Sequence, residues 1–461
     1  MRKIWFEGEK RRRRRDLTAL AAFALLVLGA LCHMSGPVRK VQARLHEDRL
    51  EFQGQDINRL RYLLVQRGLV QVKQGDPLPS TLVVPPEVVA DGLPTVSIVT
   101  SKDGLYSSDR GIFTHVWERG RAWERRASFS YFEEGRLVYE TPAGVRLHGG
   151  KSRTDDYKSM RVVFRRSYAG FPRSEPGVFF SGESPPLRAI VLSNTQGLVR
   201  FLNPIALDLA GEVGCTTSRS QPVRVYLNGE RMPVGYFLME RQSPEYLESR
   251  YGHSEFLWVR QKGDRQKRDR VWQFTVQKKW VEDEPSPMTM EKAGARFDLD
   301  QLSAWILAIS FCGTNDEGQG AYYFDLRNPD ARWRSTAWDM DGSFEHGFDA
   351  NPGDFYFDVI KGERGRLFRR LIADDPAYRD FFRAKARHAL DTCFSPEAVR
   401  KLIARYRGYL NTDLFASQRE EIAPRLEGTQ DYLVARSALY MDALEAFIEQ
   451  MTDRGDTLAD N

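Results

Sequence analysis

The sequence predicts an α+β fold of two lobes, a strand-rich half followed by a helical half, preceded by an N-terminal transmembrane helix. Residues 94 to about 260 contain short runs rich in Val, Ile, Phe and Tyr, bounded by Gly, Pro or Asp, which is typical of strands. After about residue 297 the apolar residues recur at helical spacing. Residues 17–36 contain no charged side chain. A strand pair and a buried helix join the two halves, which predicts a cleft between them.

The composition is that of a folded protein. Hydrophobic residues make up 41% of the 461 residues, enough for a large packed core. The first fifteen residues carry eight Lys or Arg against two Glu, so the net charge of +5 is concentrated there and the remainder is close to neutral. We therefore expect no nucleic-acid partner. Three cysteines lie far apart and predict neither a disulfide framework nor a zinc site; they are Cys215, Cys312 and Cys393.

The apolar segment near the N-terminus is predicted to anchor the protein in a membrane. Residues 1–16 form a basic tail, and residues 17–36 are long enough to span a bilayer as a signal anchor. Positive charge before the segment predicts a cytoplasmic N-terminus and a body outside the cytoplasm. A cleaved signal peptide is the alternative, and it is disfavoured because "LGALCHMSG" lacks a clean small-x-small cleavage site.

The strand-rich half follows a charged helical stalk and linker, residues 37–93. Strands are predicted in "TVSIVTS", "SFSYFEE", "AGVRLHGG", "SMRVVFRR" and "RAIVLSN". The run "PVRVYLNGERMPVGYFLMER" predicts a hairpin that turns at Asn228 and Gly229. Among these strands, apolar residues at helical spacing predict one helix from Leu202 to Val213, with Gly214 as its C-terminal cap.

The helical half begins with "DLDQLSAWILAISFCG", which is apolar nearly all round and predicts a buried helix. A small hairpin follows in "AYYFDLRNPDARWRSTAWDMD". Three amphipathic helical stretches complete the domain; they are "RLFRRLIADDPAYRDFFRAKARHALDTCF", "SPEAVRKLIARYRGYL" and "TQDYLVARSALYMDALEAFIEQM". The domain is expected to span residues 94–450, with a polar tail at residues 451–461.

The stretch "HGGKSRTDDYKSMRVVFRR" indicates phosphate binding. Lys158 is predicted to share the apolar face of a strand with Met160, and a buried ammonium group needs an anionic partner. Upstream, Gly149, Gly150 and Arg153 form a turn whose amides can approach a phosphate closely. The alternative is an edge hairpin whose lysine extends to water.

Acidic residues on either side of the small hairpin indicate phosphate transfer. Asp316 lies in a glycine-rich loop after the buried helix, where a carboxylate can position a hydroxyl group for attack. Asp339 and Asp341 are predicted to share one face of a strand, and two such carboxylates suit a divalent metal that also takes phosphate oxygens. Each pattern alone is also compatible with an exposed turn. Along the chain, a loop with a catalytic base is followed by a β-hairpin and then by a metal-binding carboxylate. This order is that of a phosphotransferase.

Taken in order, these landmarks resemble the spore coat protein H (CotH) kinase-like family, atypical relatives of protein kinases. The matching stretches run over residues 94–450; they are "VSIVTSKDGLYSSDRGIF", "AGVRLHGGKSR", "VRVYLNGERMPVGYFLMER", "TND" and "WRSTAWDMDGSF". The resemblance implies a protein-kinase-like fold and transfer of phosphate from ATP to Ser or Thr hydroxyls of a protein, with Mg²⁺ or Mn²⁺. Combined with the anchor, it implies a single-pass protein of the bacterial inner membrane with a periplasmic body and an envelope protein as its substrate.

The resemblance also implies roles for individual residues. Lys158 would contact the nucleotide phosphates, and the turn with Gly149, Gly150 and Arg153 would cover them. The other implied assignments are Glu240 and Arg241 at the hinge near the adenine, Asp316 as the catalytic residue, and Asp339 as the metal ligand with Asp341 in support.

Two further consequences of the resemblance concern the regulatory helix and the second metal. The helix from Leu202 to Val213 would take the place of the regulatory helix, with Glu212 or Asp208 as the partner of Lys158. Family members usually have an asparagine five residues after the catalytic aspartate, and Ala321 stands there in this chain.

Other functions stay open at this point. One is a non-catalytic pseudokinase or envelope scaffold that binds a protein or glycan and pairs Asp339 with a residue such as Arg334. Another is a transferase that acts on an envelope sugar hydroxyl.

Overall fold

The computed structural model describes residues 92–459, apart from 171, 181, 196–197, 261–271, 315–319, 345–350 and 359. The predicted basic tail, transmembrane segment and nearly all of the stalk lie outside the described residues. Within the described part, no helix combines the length and apolar character that a membrane span requires. The order of elements confirms the predicted α+β class, with a strand-rich half before a helical half.

Eight strands of the first half form one sheet that closes on itself. In chain order they are β1 Thr95–Thr100, β2 Arg125–Glu133, β3 Arg136–Leu147, β4 Met160–Val163, β5 Ala189–Asn194, β6 Ser220–Leu227, β7 Glu230–Arg231 and β8 Tyr236–Glu240. The spatial order is β1-β2-β3-β4-β5-β8-β6-β7, and β1 also pairs with β6 in parallel. All six predicted strand regions are confirmed, whereas the closure into a barrel was not predicted. It depends on a parallel pairing between distant segments, which removes two free strand edges.

The predicted Asn-Gly turn is confirmed between β6 and β7. Asn228 and Gly229 have φ angles of 54° and 82°, the left-handed conformation that a two-residue hairpin turn requires. The Asn228 side chain also accepts a hydrogen bond of 2.8 Å from the amide of Thr100 at the end of β1. The turn therefore helps to hold β1 beside β6.

The two faces of the barrel strands contribute to different cores. Phe129, Met160 and Ile190 pack inside the barrel. Val191 and Met239, on the opposite face of β5 and β8, pack into the core of the helical half. Because side chains alternate along a strand, these two strands are buried on both sides. The outer face of the barrel therefore forms one wall of the region where the two halves meet.

The helices follow the predicted division. Those of the strand-rich half are α1 Lys102–Tyr106, α2 Arg166–Ala169, α3 Leu198–Glu212 and α4 Pro244–Tyr251. Those of the helical half are α5 Trp272–Asp283, α6 Met290–Gly294, α7 Leu299–Cys312, α8 Gly362–Asp374, α9 Pro376–Asp391, α10 Pro396–Leu410 and α11 Arg419–Ala459. One predicted helical stretch is divided at Asp375 into α8 and α9, because Pro376 has no amide hydrogen to continue a helix and suits a first helical position.

Helix α7 is buried along nearly its whole length, as predicted. Asp298 caps its N-terminus by accepting a hydrogen bond of 3.0 Å from the amide of Gln301. Gly313 ends it at a φ angle of 60°, and a Cβ there would lie 2.2 Å from the Tyr432 hydroxyl oxygen. Glycine therefore stops α7 at a fixed point, and the chain turns into the loop that contains Asp316.

A second, three-stranded sheet lies between the halves. Its strands are β9 Phe256–Arg260, β10 Ala321–Asp325 and β11 Arg334–Ser335, in the antiparallel order β11-β10-β9. The predicted hairpin of β10 and β11 is confirmed, and β9 is an addition. Strand β11 ends at Ser335, before the predicted metal ligands, so the expectation that Asp339 and Asp341 lie on a strand is wrong.

Candidate active site

The turn between β3 and β4 has a backbone that glycine makes possible. Gly149 has a φ angle of 100°, which side chains rarely allow, and a Cβ there would lie 2.2 Å from Ser152 Oγ. Gly150 leads into a 3-10 turn, Lys151–Thr154, and a Cβ added to it would meet nothing within 4 Å. Gly149 is therefore required by the backbone conformation of the turn. The space next to the Cα of Gly150 is open.

Arg153 is committed to the backbone. Its guanidinium group donates to four carbonyl oxygens, those of Gly149 at 2.8 Å, Leu147 at 3.0 Å, Val116 at 3.1 Å and Glu118 at 2.8 Å. These bonds join the glycine turn to the segment that follows α1. Arg153 therefore has a structural function in this conformation, and its predicted contact with phosphate stays a prediction.

Lys158 lies before the strand in which it was expected. Strand β4 begins at Met160, and the Lys158 ammonium group donates to the carbonyl oxygen of Asp155. Asn194 of β5 holds the segment before β4: its side chain donates to the Tyr157 carbonyl oxygen at 2.6 Å, and its amide donates to Ser159 Oγ at 3.0 Å. Lys158 is thus part of the turn.

Glu240 and Arg241 end β8, where the barrel meets α4. Glu240 is fully buried. Its carboxylate accepts from the side chain of Arg219 at 3.2 Å and from that of Arg250 at 2.7 Å. Arg241 is half-buried and faces a cavity, and burial, as the largest cause, lowers the pKa of its guanidinium group to about 10. The next residue, Gln242, donates a hydrogen bond of 2.7 Å to the Ala337 carbonyl oxygen, so this connection lies against the segment that leads to Asp339.

Asp339 and Asp341 lie on a tight turn. Asp339 has φ and ψ angles of 58° and 50° and precedes the 3-10 turn Met340–Gly342. A left-handed backbone is uncommon for residues other than glycine, although aspartate is one of the more tolerant types. Met340, between the two aspartates in the sequence, is buried and packs its side chain into the core. Helix α3 contacts this turn. The turn therefore holds two half-buried carboxylates in a fixed backbone.

Asp316 lies outside the described residues, but the described residues on both sides of its loop are held near the same turn. Thr314 Oγ1 and Ser343 Oγ are 2.6 Å apart in a buried hydrogen bond. At the other end, a Cβ on Gly320 would lie 2.3 Å from the Thr336 carbonyl oxygen. The flanks of the loop thus contact the segment that carries Asp339 and Asp341.

Two partners proposed from the sequence are engaged elsewhere. Asp208 on α3 accepts hydrogen bonds from Arg405 and, at 2.7 Å, from the Tyr406 hydroxyl; the second expected partner of Lys158, Glu212, is exposed. Arg334, suggested as a salt-bridge partner of Asp339 in the scaffold alternative, pairs with the α7 cap Asp298 at 2.8 Å, and its pairing with Asp339 stays a prediction.

Four of the arginines that line a cavity of about 220 Å³ belong to strands or directly follow them, and the sequence predicted only Arg241 among them as a site residue. We call this set the arginine pocket; its members are Arg146, Arg161, Arg241 and Arg260. The available signal was the alternation in β3 and β4, where arginine occupies the outward position of both strands. His148 connects the pocket to the turn with Asp339, since its Nδ1 lies 3.3 Å from Arg161 Nη2 and its ring lies edge-on to Trp338, with 6.3 Å between the centroids.

The carboxylates of the turn suit a hard cation that is bound together with phosphate. Mg²⁺ keeps several waters and usually takes one or two carboxylates plus substrate phosphates. Among the described residues, no three His, Cys, Asp or Glu side chains form a group that could hold a metal. Asp339 and Asp341 alone supply two carboxylates, the number that Mg²⁺ usually takes from a protein.

The position of Ala321 adds to this picture. It is buried at the start of β10 and pairs with Arg260 of β9. Because residues directly opposite in an antiparallel pair point to the same face, the position of the asparagine that the resemblance implies lies beside an arginine of the pocket.

Comparison with known proteins gives a family. A search among curated proteins found no match. The family model described as CotH kinase protein matches residues 145–436, well over half of the chain. This range includes the glycine turn, the flanks of the Asp316 loop and the turn with Asp339, and it indicates a kinase-like function. The chain therefore belongs to the CotH kinase protein family.

Proposed function

We propose that this protein is a membrane-anchored, metal-dependent protein kinase that transfers the terminal phosphate of ATP to Ser or Thr hydroxyls of a protein. The observation that carries the proposal is the turn with Asp339 and Asp341, which lies against both flanks of the Asp316 loop. A kinase of this type needs a residue that orients the acceptor hydroxyl and a carboxylate that holds the metal. The two halves meet where these residues would act together.

The reaction would proceed by in-line transfer. The acceptor oxygen forms a bond to the terminal phosphorus, and the bond from that phosphorus to the bridging oxygen of ADP breaks. Asp316 would accept the hydroxyl proton. Asp339 and Asp341 would hold the divalent cation, which when bound would offset the negative charge of the phosphates. The glycine turn would cover the phosphates. Lys158 would bind a phosphate oxygen in place of the Asp155 carbonyl oxygen that its ammonium group now contacts.

The proposed location follows from residues 1–36. The basic tail and the apolar segment suit a signal anchor of the bacterial inner membrane. The kinase domain would then lie in the periplasm, and an envelope protein would be its substrate.

A non-catalytic scaffold is the second candidate. It is favoured by Ala321 at the position where relatives usually have a metal-binding asparagine, because a cation with fewer oxygen ligands binds more weakly. In that case the protein would bind a protein or glycan partner without transferring phosphate.

Metal-dependent ATP binding tests the proposal. The full chain, purified in mild detergent, is titrated calorimetrically with ATP in the presence of Mg²⁺, Mn²⁺ or EDTA. We expect binding with metal, and we expect Asp339→Asn to weaken it by about tenfold or more, because it removes a charged ligand. Asparagine tolerates the left-handed backbone at this position, whereas alanine would add strain of about 1 kcal/mol. Asp339→Asn therefore isolates the charge, and Asp339→Ala is a useful second variant.

Asp330→Asn is the matched control, since Asp330 is exposed at the tip of the same hairpin. It should bind ATP like the unaltered chain. Equal ATP affinity in the Asp339 and Asp330 variants would contradict the assignment of the metal ligand. Binding of no ATP under any metal would favour the scaffold.

A further inference from the structure

The arginine pocket is formed where four strands of the two sheets pack around one cavity. Arg146 of β3 and Arg161 of β4 are direct register partners, so their side chains leave the same face of the barrel. The inward neighbours Val145 and Val162 are buried in the barrel core, which holds both arginines on the outer face. Arg241 follows β8 and Arg260 ends β9. All four arginines line the same cavity.

The nearby carboxylates compensate the charge of this set only in part. Glu124 is buried and accepts two hydrogen bonds from Arg165, at 2.6 Å and 2.8 Å, and a third from Tyr168. Glu124 also acts electrostatically on Arg146, and Glu245 acts on Arg241. Glu118 lines the cavity as an exposed residue. Among the described residues, no carboxylate forms a salt bridge with any of the four arginines.

The guanidinium groups of the arginine pocket therefore repel one another in the absence of a ligand. Burial first, and then the like charges of Arg241, Arg146, Arg153 and Arg260, lower the pKa of Arg161 far below its usual range. Burial and the same surroundings lower the pKa of His148, so that the imidazole stays neutral and can accept a hydrogen bond from Arg161. Arg146, Arg161 and Arg241 are half-buried, whereas Arg260 is exposed, and half-buried like charges are costly unless an anion compensates them.

We propose that the arginine pocket is a metal-independent binding site for a phosphate group. Guanidinium groups bind phosphate oxygens through two parallel hydrogen bonds, and four of them around one cavity match a dianion. A cavity of about 220 Å³ is small for a whole nucleotide and suits a phosphate or pyrophosphate group. The group could belong to the nucleotide or to an acceptor that already carries phosphate. The link to phosphate transfer rests on the proposed function, whereas the binding site itself does not.

Pyrophosphate binding in EDTA tests this site apart from the kinase reaction. The full chain is titrated with sodium pyrophosphate without divalent metal, next to Arg161→Gln and Arg260→Gln. We expect each variant to lose about tenfold or more in affinity, because a hydrogen bond from a charged group is lost. The pyrophosphate affinity of Arg161→Lys should lie between that of Arg161→Gln and that of the unaltered chain, since lysine keeps the charge and loses the planar guanidinium group. Arg126→Gln is the matched control, because Arg126 is exposed on the neighbouring strand β2, and its affinity should not change.

Melting temperature gives a second readout that separates a ligand site from a structural cluster. Without ligand, Arg161→Gln should melt at a higher temperature than the unaltered chain, because it removes one of several mutually repelling charges. A lower melting temperature together with unchanged pyrophosphate affinity would overturn the proposal. So would the absence of pyrophosphate binding at millimolar concentration.

Competition identifies the source of the phosphate group. ADP and a phosphoserine peptide are added in EDTA to the chain loaded with pyrophosphate. Displacement by ADP assigns the pocket to the nucleotide, and displacement by the peptide assigns it to a phosphorylated acceptor. If neither displaces pyrophosphate, the pocket holds an adventitious ion only and the proposal is wrong. Loss of metal-dependent ATP binding in Asp339→Asn would leave all of these results unchanged, so the two proposals can fail separately.

Discussion

At the scale of single residues, the pKa of His148 depends on the charges of the arginine pocket. Burial is the largest cause that lowers its pKa well below the ordinary value, and nearby arginines add to the effect, Arg161 most of all. In the folded protein the imidazole therefore stays neutral at a pH where the unfolded chain takes up a proton. Its contribution to stability is present above pH 6.5 and declines as the pH falls below that value.

We expect this dependence of stability on pH to be measurable. As the pH falls below 6.5, the free energy of unfolding should decrease with a slope that approaches about 1.4 kcal/mol per pH unit through His148 alone. His148→Gln should remove that part of the slope in urea unfolding experiments. His388 is exposed on α9, so His388→Gln serves as the control and should keep the full slope. Identical slopes in both variants would mean that His148 is protonated in the folded state.

At the scale of elements, the contact between the barrel and the helical half depends on a close approach. Gly235 precedes β8, and its carbonyl oxygen accepts a hydrogen bond of 3.0 Å from the Thr195 amide. A Cβ on Gly235 would lie 2.2 Å from an atom of the Phe415 ring. That ring is fully buried and packs edge-on against Phe201 of α3, so it has no space to move. Glycine is therefore required at this position by packing.

Gly235→Ala is expected to destabilise the fold by about 1–3 kcal/mol, the usual cost of an added methyl group in a packed core. Thermal and urea unfolding would measure this difference. Gly408 lies in α10, and a methyl group added at its Cα would meet no neighbouring atom within 4 Å, so Gly408→Ala should stabilise the protein by about 0.5–1 kcal/mol. Equal stability of the Gly235 variant and the unaltered protein would show that β8 and Phe415 separate in solution.

At the scale of the whole molecule, the two halves share one core. Residues of α3 and of the outer face of β5 and β8 pack with the helices of the second half. Buried hydrogen bonds also cross the boundary, since Gln418 donates to the Thr195 carbonyl oxygen at 2.6 Å and accepts from its hydroxyl at 2.8 Å. The strands that carry the arginine pocket therefore belong to the same packed structure as the turn with Asp339.

The proposed membrane topology is also a property of the whole chain. A periplasm-dependent reporter enzyme fused after Asn461 should be active, and a reporter that works only in the cytoplasm should be silent at the same position. The control replaces the arginines of residues 11–15 with glutamate, which should weaken the preference for this orientation. Activity of the cytoplasmic reporter in the unaltered chain would overturn the assigned orientation and the periplasmic location.

The sequence determined by itself the features that depend on short-range periodicity and turn chemistry. Alternating apolar residues predicted the strands, and Asn228 with Gly229 predicted the hairpin turn, because both signals act over a few neighbouring residues. The order of the glycine turn, the Asp316 loop and the aspartate pair was sufficient to indicate the family. The sequence predicts a strand at Asp339 and Asp341, because an alternation over four residues does not distinguish a strand from a tight turn.

Only the tertiary structure decided which distant residues meet. Closure of the barrel depends on the parallel pairing of β1 with β6, which no local pattern encodes. Arg161 and Arg260 are 99 positions apart in the sequence, and they line one cavity because β4 and β9 pack around it. Asp208 pairs with the distant Arg405, although the sequence also allowed Lys158. Such pairings depend on packing between elements, where burial and charge compensation over the whole molecule outweigh local preference.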